Sequence, residues 1–436
     1  VPSLRRPALT AARPVPRDGD PLRIALLSYR GKPHCGGQGV YVRHLSKALV
    51  DLGHHVEVFG GQPYPVVDER VPLHELRSLD IYNDYFPMRL PRVWELKSAP
   101  DVLELMSFST GTFSEPMAFS WRAYAALKAR RAEFDLVHDN QTLGWGVLAL
   151  QQTGWPVLST IHHPITVDRK LEIEHARNLR EEIGKRRWYS FTKMQTQVAK
   201  RMTRVMTVSE SSKKDIHADH KVPLDRIHVV PVGVDPELFR PMPGVERVPG
   251  RLITTASADV AMKGLHVLLE ALAKVRTERH VELVIIGKPK RDSHATQTMR
   301  RLGLEDVVTF VTGVPDQRIV ELYSEAELAI VPSLYEGFSL PAIEAMSSGV
   351  PLLATTGGAL PEVAGTHDET CFLVPPGDAE AMAAMIRATL DDPDRRARVG
   401  AAGRQRVIDT WSWFHTAKRT EEQYRLLLEE YAAGRG

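Results

Sequence analysis

The sequence predicts an α/β fold in two parallel-sheet domains, on three observations. A pattern of short apolar run, loop, amphipathic helix and short apolar run begins at Leu22. After a stretch rich in proline and glycine it begins again at Arg251. The length of 436 residues exceeds what one ordinary core holds and suits two domains of roughly 200 residues each.

In the first set, Leu22–Ser28, His55–Phe59, Asp135–His138, Pro156–Ile161 and Arg204–Val208 read as buried strands. Between the first two, Val42, Leu45, Leu49 and Leu52 share one helical face, and Gly53 stops that helix. In the second set, strands are expected at Arg251–Ala256, Val281–Gly287, Val307–Thr312, Leu328–Pro332, Pro351–Ala354 and Cys371–Val374, with a helical stripe at Leu265, Leu268, Leu269, Leu272 and Val275. Val229–Gly250, with five prolines and three glycines, reads as the linker. The expected boundaries are a flexible arm at 1–21, a first domain at 22–235, a second at 236–410, and a helical segment at 411–436 that packs back on the first domain. Ligands of such sheets sit beyond the carboxyl ends of the strands, so two facing units put the active site in the cleft between them.

Bulk properties exclude several classes. A net charge of +2 gives no whole-protein argument for nucleic acid. Two cysteines, Cys35 and Cys371, form no metal-ligand spacing and no disulfide framework, which suits a reducing compartment. No apolar run is long enough to span a bilayer, and the first 20 residues carry four prolines and four arginines instead of an apolar signal core. A cytoplasmic location is expected. Between Arg169 and Arg204, eleven Lys/Arg stand against four Asp/Glu, around Trp188, Tyr189 and Phe191. That stretch fits a solvated helical face, or a surface for anionic lipid or a phosphorylated acceptor, so peripheral membrane contact through 169–204 is the second reading.

Val331–Val363 carries the strongest signal. A strand ends near Pro332, a loop follows, Pro341 stands where a short helix begins, and Gly349 closes it. Backbone N–H groups of Gly337, Phe338, Ser339 and Leu340 then point above a helix amino end. Unpaired donors and the helix dipole stabilise an anion there by about 0.3–1 kcal/mol or more, and a diphosphate is the expected guest. Glu336 precedes the loop and Glu344 is expected in the first helical turn, each able to accept two hydroxyl hydrogen bonds. Alone, each equally fits an ordinary surface carboxylate; the surrounding proline, glycines and strands favour the binding reading. Gly357-Gly358 follows the next strand and admits close backbone approach.

These residues resemble a known family. EGFSLPAIE is similar to the Glu-x7-Glu signature of the retaining glycosyltransferases of family four, and GGQGVYVRHLSKAL, TIHH, MTVSE and VGVD stand in that family's order from Leu22 onward. The resemblance implies the GT-B fold, two Rossmann-like domains facing each other across a cleft, and a nucleotide-diphosphate sugar donor (UDP favoured over GDP). It implies transfer of a hexose with retention to a hydroxyl of a small metabolite, glycan or lipid-linked acceptor, with no metal or other cofactor. By the same resemblance Glu336 contacts the donor sugar, Glu344 the ribose and Lys263 the diphosphate, while Gly37 and Gly39 of the Gly36–Gly39 loop lie against phosphate and sugar. His162 sits beside the donor sugar, with His163 as its rival. One departure stands out: Ser257 occupies the place of the family's arginine, leaving Lys288 or Arg291 as substitutes.

Other readings stay open. Gly37-x-Gly39 reaches Val42 where a dinucleotide fingerprint has Gly or Ala, and Glu57 lies inside its strand, which disfavours nicotinamide. His138-Asp139 lacks a third metal ligand and reads as a strand end lining the cleft. A sugar-nucleotide epimerase of the same fold and a non-catalytic nucleotide-sugar sensor are the functional alternatives.

Overall fold

The computed structural model describes residues 16–31, 37–82, 89–174, 176, 178–255, 260–289 and 293–434. It divides into two compact units. The first comprises the chain to Val208, Ser212–Val230 and Ala417 onward; the second comprises Ser209–Ser211 and Pro231–Thr416.

In the first unit seven strands form one parallel sheet. They are β1 (Arg23–Ser28), β2 (His55–Gly60), β3 (Leu73–Glu75), β4 (Leu136–Asn140), β5 (Val157–Thr160), β6 (Arg204–Thr207) and β7 (Ile227–Val229), in the spatial order 3-2-1-4-5-6-7. Leu27, Phe59, Phe134, Trp155 and Val205 lie in its sealed core. β3 and β7 are three-residue strands at the two sheet edges, too short to carry a periodic pattern.

The second unit repeats the plan with β8 (Arg251–Thr255), β9 (Glu282–Ile286), β10 (Val308–Val311), β11 (Leu328–Val331), β12 (Leu352–Thr355) and β13 (Phe372–Val374), ordered 10-9-8-11-12-13. The helix Leu265–Val275 buries Leu265, Leu268, Leu269, Leu272 and Val275 against the core that holds Leu252, Leu283 and Phe372. Each sheet therefore changes winding direction between its first and fourth strands, β1|β4 and β8|β11. In open parallel sheets that crevice, at the carboxyl ends, is where ligands bind.

The domain boundaries shift from those expected. The second unit begins at Pro231 because the outgoing chain pairs with the returning one. Val234 N–H donates to the Trp411 carbonyl at 2.7 Å, and Thr416 Oγ1 donates to the Pro231 carbonyl at 2.9 Å. The last helix, Trp413–Ala433, joins the first unit from Ala417 onward. There Arg204 binds Gln423 at 2.5 Å and pairs with Glu430, while the Tyr431 hydroxyl donates to the Gly154 carbonyl. Of the arm at 1–21, residues 1–15 lie outside the described residues. The end of the arm is tethered, since Arg425 donates to the carbonyls of Arg17 and Asp20 at 3.2 and 3.1 Å.

The 169–204 surface also changes character. Phe191 is buried, and Trp188 packs 5.4 Å from Phe113. Lys170, Lys185, Arg186 and Arg204 are in ion pairs. Among the described residues, no helix is long and apolar enough to cross a membrane.

Candidate active site

In the second unit the site grows from the carboxyl ends of β8 and β11. Lys263 closes the short turn Ala261–Lys263 after β8, and Glu336 follows β11 by five residues. Lys263 Nζ lies 2.7 and 3.0 Å from the two carboxylate oxygens of Glu336, and Ser333 Oγ donates to Oε1 at 2.6 Å. Glu336 is 8% exposed, whereas the lysine side chain keeps 34% of its surface open. The ammonium thus neutralises a buried carboxylate while still presenting N–H to solvent.

Backbone contacts lace this cluster together. Leu334 N–H donates to the Met262 carbonyl at 2.7 Å, and Ala359 N–H to the Glu336 carbonyl at 2.9 Å. Gly264 and Gly358 both have positive φ, +62° and +63°. A Cβ at Gly264 would strike the Pro332 carbonyl, and one at Gly358 the Glu336 carbonyl. Only glycine fits either place.

The helix Leu340–Ser347 starts at this loop, with Pro341 in its first turn. Its first N–H groups have no intrahelical partner. Ser339, ahead of it, has φ +100°, a strained conformation for a residue with Cβ, and its buried Oγ has no hydrogen-bond partner among the described residues. The Phe338 side chain packs edge-on against Trp411 at 5.6 Å and is 6% exposed. Phe338 can therefore reach a ligand only through its backbone, and Trp411, which the motif reading did not connect to this loop, is what fixes it there.

Glu344 needs correction. The helix begins at Leu340, so Glu344 is its fifth residue and lies in the second turn. Its carboxyl is half-buried by area but ringed closely by protein, which pushes its pKa up to about 7. The Asp316 carboxylate adds to the rise and a hydrogen bond to Tyr323 opposes it. Of the suggested arginine substitutes, Lys288 is exposed just beyond β9, while Ser257 and Arg291 lie outside the described residues.

In the first unit the site again lies at the switch point. Gln141, directly after β4 and at φ +59°, brackets the end of β5 with its amide. Its Oε1 accepts from His162 N–H at 2.9 Å and its Nε2 donates to the His163 carbonyl at 2.9 Å. His162 Nε2 lies 2.7 Å from Asn140 Oδ1, and Asn140 Nδ2 donates to the Gln38 carbonyl at 3.4 Å. Burial, with the neighbouring His163 second, lowers the His162 pKa to about 3, so the ring is neutral. His163 turns instead to Asp168, 2.8 Å away.

Gly37 and Gly39 are not loop residues: they form the first turn of the helix Gly37–Asp51, while Gly36 lies outside the described residues. Nor do His138 and Asp139 line an open surface; both are fully buried. Asp139 accepts from the backbone of Thr142 and Leu143 at 3.2 and 3.0 Å, and His138 is held by Thr160 and Tyr424. Among the described residues no group of three or more potential ligands could hold a metal.

Comparison with known proteins bears on the whole chain. The family model described as Glycosyltransferase Family 4 matches residues 35–238, and that described as Glycosyl transferases group 1 matches 245–406. An MMP α-(1→4)-mannosyltransferase of Mycolicibacterium hassiacum is 47% identical over 413 residues, covering 94% of this chain and 100% of the relative. The chain belongs to glycosyltransferase family 4.

Other relatives of this glycosyltransferase include a D-inositol 3-phosphate glycosyltransferase of Kineococcus radiotolerans, 28% identical over 95% of this chain and 97% of its own. Among solved structures, sucrose-phosphate synthase of Thermosynechococcus elongatus matches with a TM-score of 0.71 and 25% identity, over 94% of this chain and 100% of that one. Anabaena HepE, solved with UDP and glucose, gives 0.67 at 18% identity, over 92% and 99%. The transferase thus has the GT-B fold, each of its two domains Rossmann-like.

Proposed function

We propose that this glycosyltransferase moves mannose, with retention, from a nucleotide-diphosphate donor to a mannose-containing saccharide, making an α-(1→4) bond. The observation that carries this reading is the 47% identity to the M. hassiacum mannosyltransferase over the full length of that relative. An α-linked donor giving an α-linked product is retention. The inositol-phosphate relatives supply the alternative acceptor.

The arrangement supports a division of labour. Lys263 and the backbone N–H groups of Phe338, Ser339 and Leu340 receive the diphosphate and stabilise the charge that grows on it as the glycosidic bond breaks. Glu336, held by Ser333 and Lys263, accepts from donor-sugar hydroxyls. Glu344 accepts from the ribose diol. His162 stands beside the sugar as a neutral hydrogen-bonding group, not a charged acid. The departing diphosphate oxygen takes the acceptor proton, and Lys263 with the helix amino end offsets the diphosphate charge in place of a metal.

The test is product analysis of UDP-mannose and GDP-mannose, each incubated alone, with α-(1→4)-linked oligomannosides and with inositol 3-phosphate, with and without EDTA. Lengthened oligomannoside from either donor, undiminished by EDTA, is the expected result. Epimer formation from donor alone identifies an epimerase; donor binding without turnover in any arm identifies a binding protein. Either overturns the proposal.

A further inference from the structure

His138 takes no part in the reaction outlined above, yet it sits at the centre of a buried hydrogen-bonded chain in the first unit. Its Nδ1 lies 2.6 Å from the Tyr424 hydroxyl and its Nε2 2.6 Å from Thr160 Oγ1. The His138 ring in turn meets the Tyr41 ring edge-on, with centroids 6.4 Å apart and planes 85° apart. His138 and Tyr424 are 0% exposed, Thr160 1% and Tyr41 2%. Burial lowers the His138 pKa to about 3, so the ring is neutral and has one donor and one acceptor nitrogen for its two hydroxyl partners. With both ring nitrogens bonded, the buried His138 ring holds one orientation against Tyr41.

The chain ends on the candidate site. The Tyr41 ring meets the His162 ring edge-on, with centroids 4.7 Å apart and planes 80° apart. His162 is thus held at four points: its N–H by Gln141, its carbonyl by Ser212, its Nε2 by Asn140 and its ring by Tyr41. Of these contacts, the edge-on one with Tyr41 bears on the tilt of the imidazole plane.

We propose that Tyr424, His138 and Thr160 are positioning residues for sugar transfer: they fix the Tyr41 ring, and through it the angle at which His162 meets the donor sugar. The proposal rests on the reading of His162 given above. Tyr424 lies 286 residues beyond His138 in sequence, so the last helix of the chain helps to set the geometry of the site.

The test compares Tyr424→Phe, Thr160→Val, His162→Ala and the Tyr424→Phe/His162→Ala pair in the full-length protein, with whichever nucleotide-mannose is turned over. Tyr424→Phe and Thr160→Val should each lower kcat about 5- to 30-fold with donor KM within about twofold, as expected for a small misplacement. The pair should be no slower than His162→Ala alone, because both changes act at one point. Unchanged kcat in both hydroxyl variants, or losses that multiply in the pair, overturns the network while leaving the role of His162 intact. Full activity of His162→Ala overturns that role, and the network with it. If Tyr424→Phe does not fold, Thr160→Val makes the same comparison through a Thr160→Val/His162→Ala pair. The ring 15N resonances of His162 give a readout independent of turnover: a shift in the hydroxyl variant supports the network, and unmoved signals overturn it.

Discussion

Beyond the switch point of the second sheet the candidate groups are charged: an ammonium on a carboxylate, a second carboxylate, and the amino end of a helix. Beyond that of the first sheet they are neutral: an imidazole, two amides and a phenol ring. The two sheets share a strand order, so topology does not explain the difference. The proposed reaction accounts for it. A diphosphate acquires charge as it departs and needs compensating groups close by, whereas a sugar ring and an attacking hydroxyl need shape and direction. The second site keeps a partly open lysine, while the first is held by the hydrogen bonds of Gln141, Asn140 and Ser212.

This contrast can be broken by experiment, starting where the effect is largest. Glu336→Ala should cut transfer by about 10³-fold or more while the nucleotide Kd stays within a few-fold, because Glu336 is assigned to the sugar. Parallel loss of both, in kinetics and calorimetry, would remove the assignment. Lys263→Met should slow transfer by about 10²- to 10³-fold and weaken nucleoside diphosphate far more than nucleoside. Equal weakening of the two would place the lysine away from the phosphates.

A smaller effect separates the sites by pH. Glu344, with its pKa up at about 7, is assigned to the ribose diol and would accept from it best when ionised, so nucleotide affinity should fall about tenfold from pH 8 to pH 6, and Glu344→Gln should flatten that profile. A wild-type profile already flat would sever Glu344 from the nucleotide. The first unit should show its neutrality as acid lability. Burial depresses His138 and His162 from 6.5 to about 3, and His220 to about 4. The unfolded chain then binds protons first, so stability is complete above pH 6.5 and is lost as pH falls below it. The loss is on the order of 2 kcal/mol per histidine by pH 5, read as a falling urea midpoint. A midpoint constant from pH 7 to pH 5 would contradict it.

Sequence made part of this visible. Nearly every interior strand stands within a residue or two of its expected span, because buried parallel strands are continuous apolar runs. Glu336 and Gly358 were legible because glycine, proline and charge crowd one short segment, whereas Lys263 came from the family resemblance. Asn140 and Gln141, at the end of β4 and directly after it, could have been found by the rule that ligands gather at the carboxyl ends of parallel strands, whereas His162 came from the family resemblance. Other features had no local signal. Phe338 rests on Trp411, 73 positions later, and His138 on Tyr424, so their packing exists only after the chain has folded. The second-turn position of Glu344 depended on where a helix begins, which is set by the backbone of Ser339 and not by the proline that announces it.

The return of the last helix has a practical consequence for anyone dividing the gene. Cutting after residue 230 would deliver a seven-stranded sheet stripped of Tyr424, Gln423, Glu430 and Tyr431. It would leave Arg204 and His138 without the partners that make their burial tolerable. A freestanding amino-terminal half would have to carry the final twenty residues grafted back on, whereas the second unit, apart from Ser209–Ser211, runs in one continuous piece from Pro231 to Thr416.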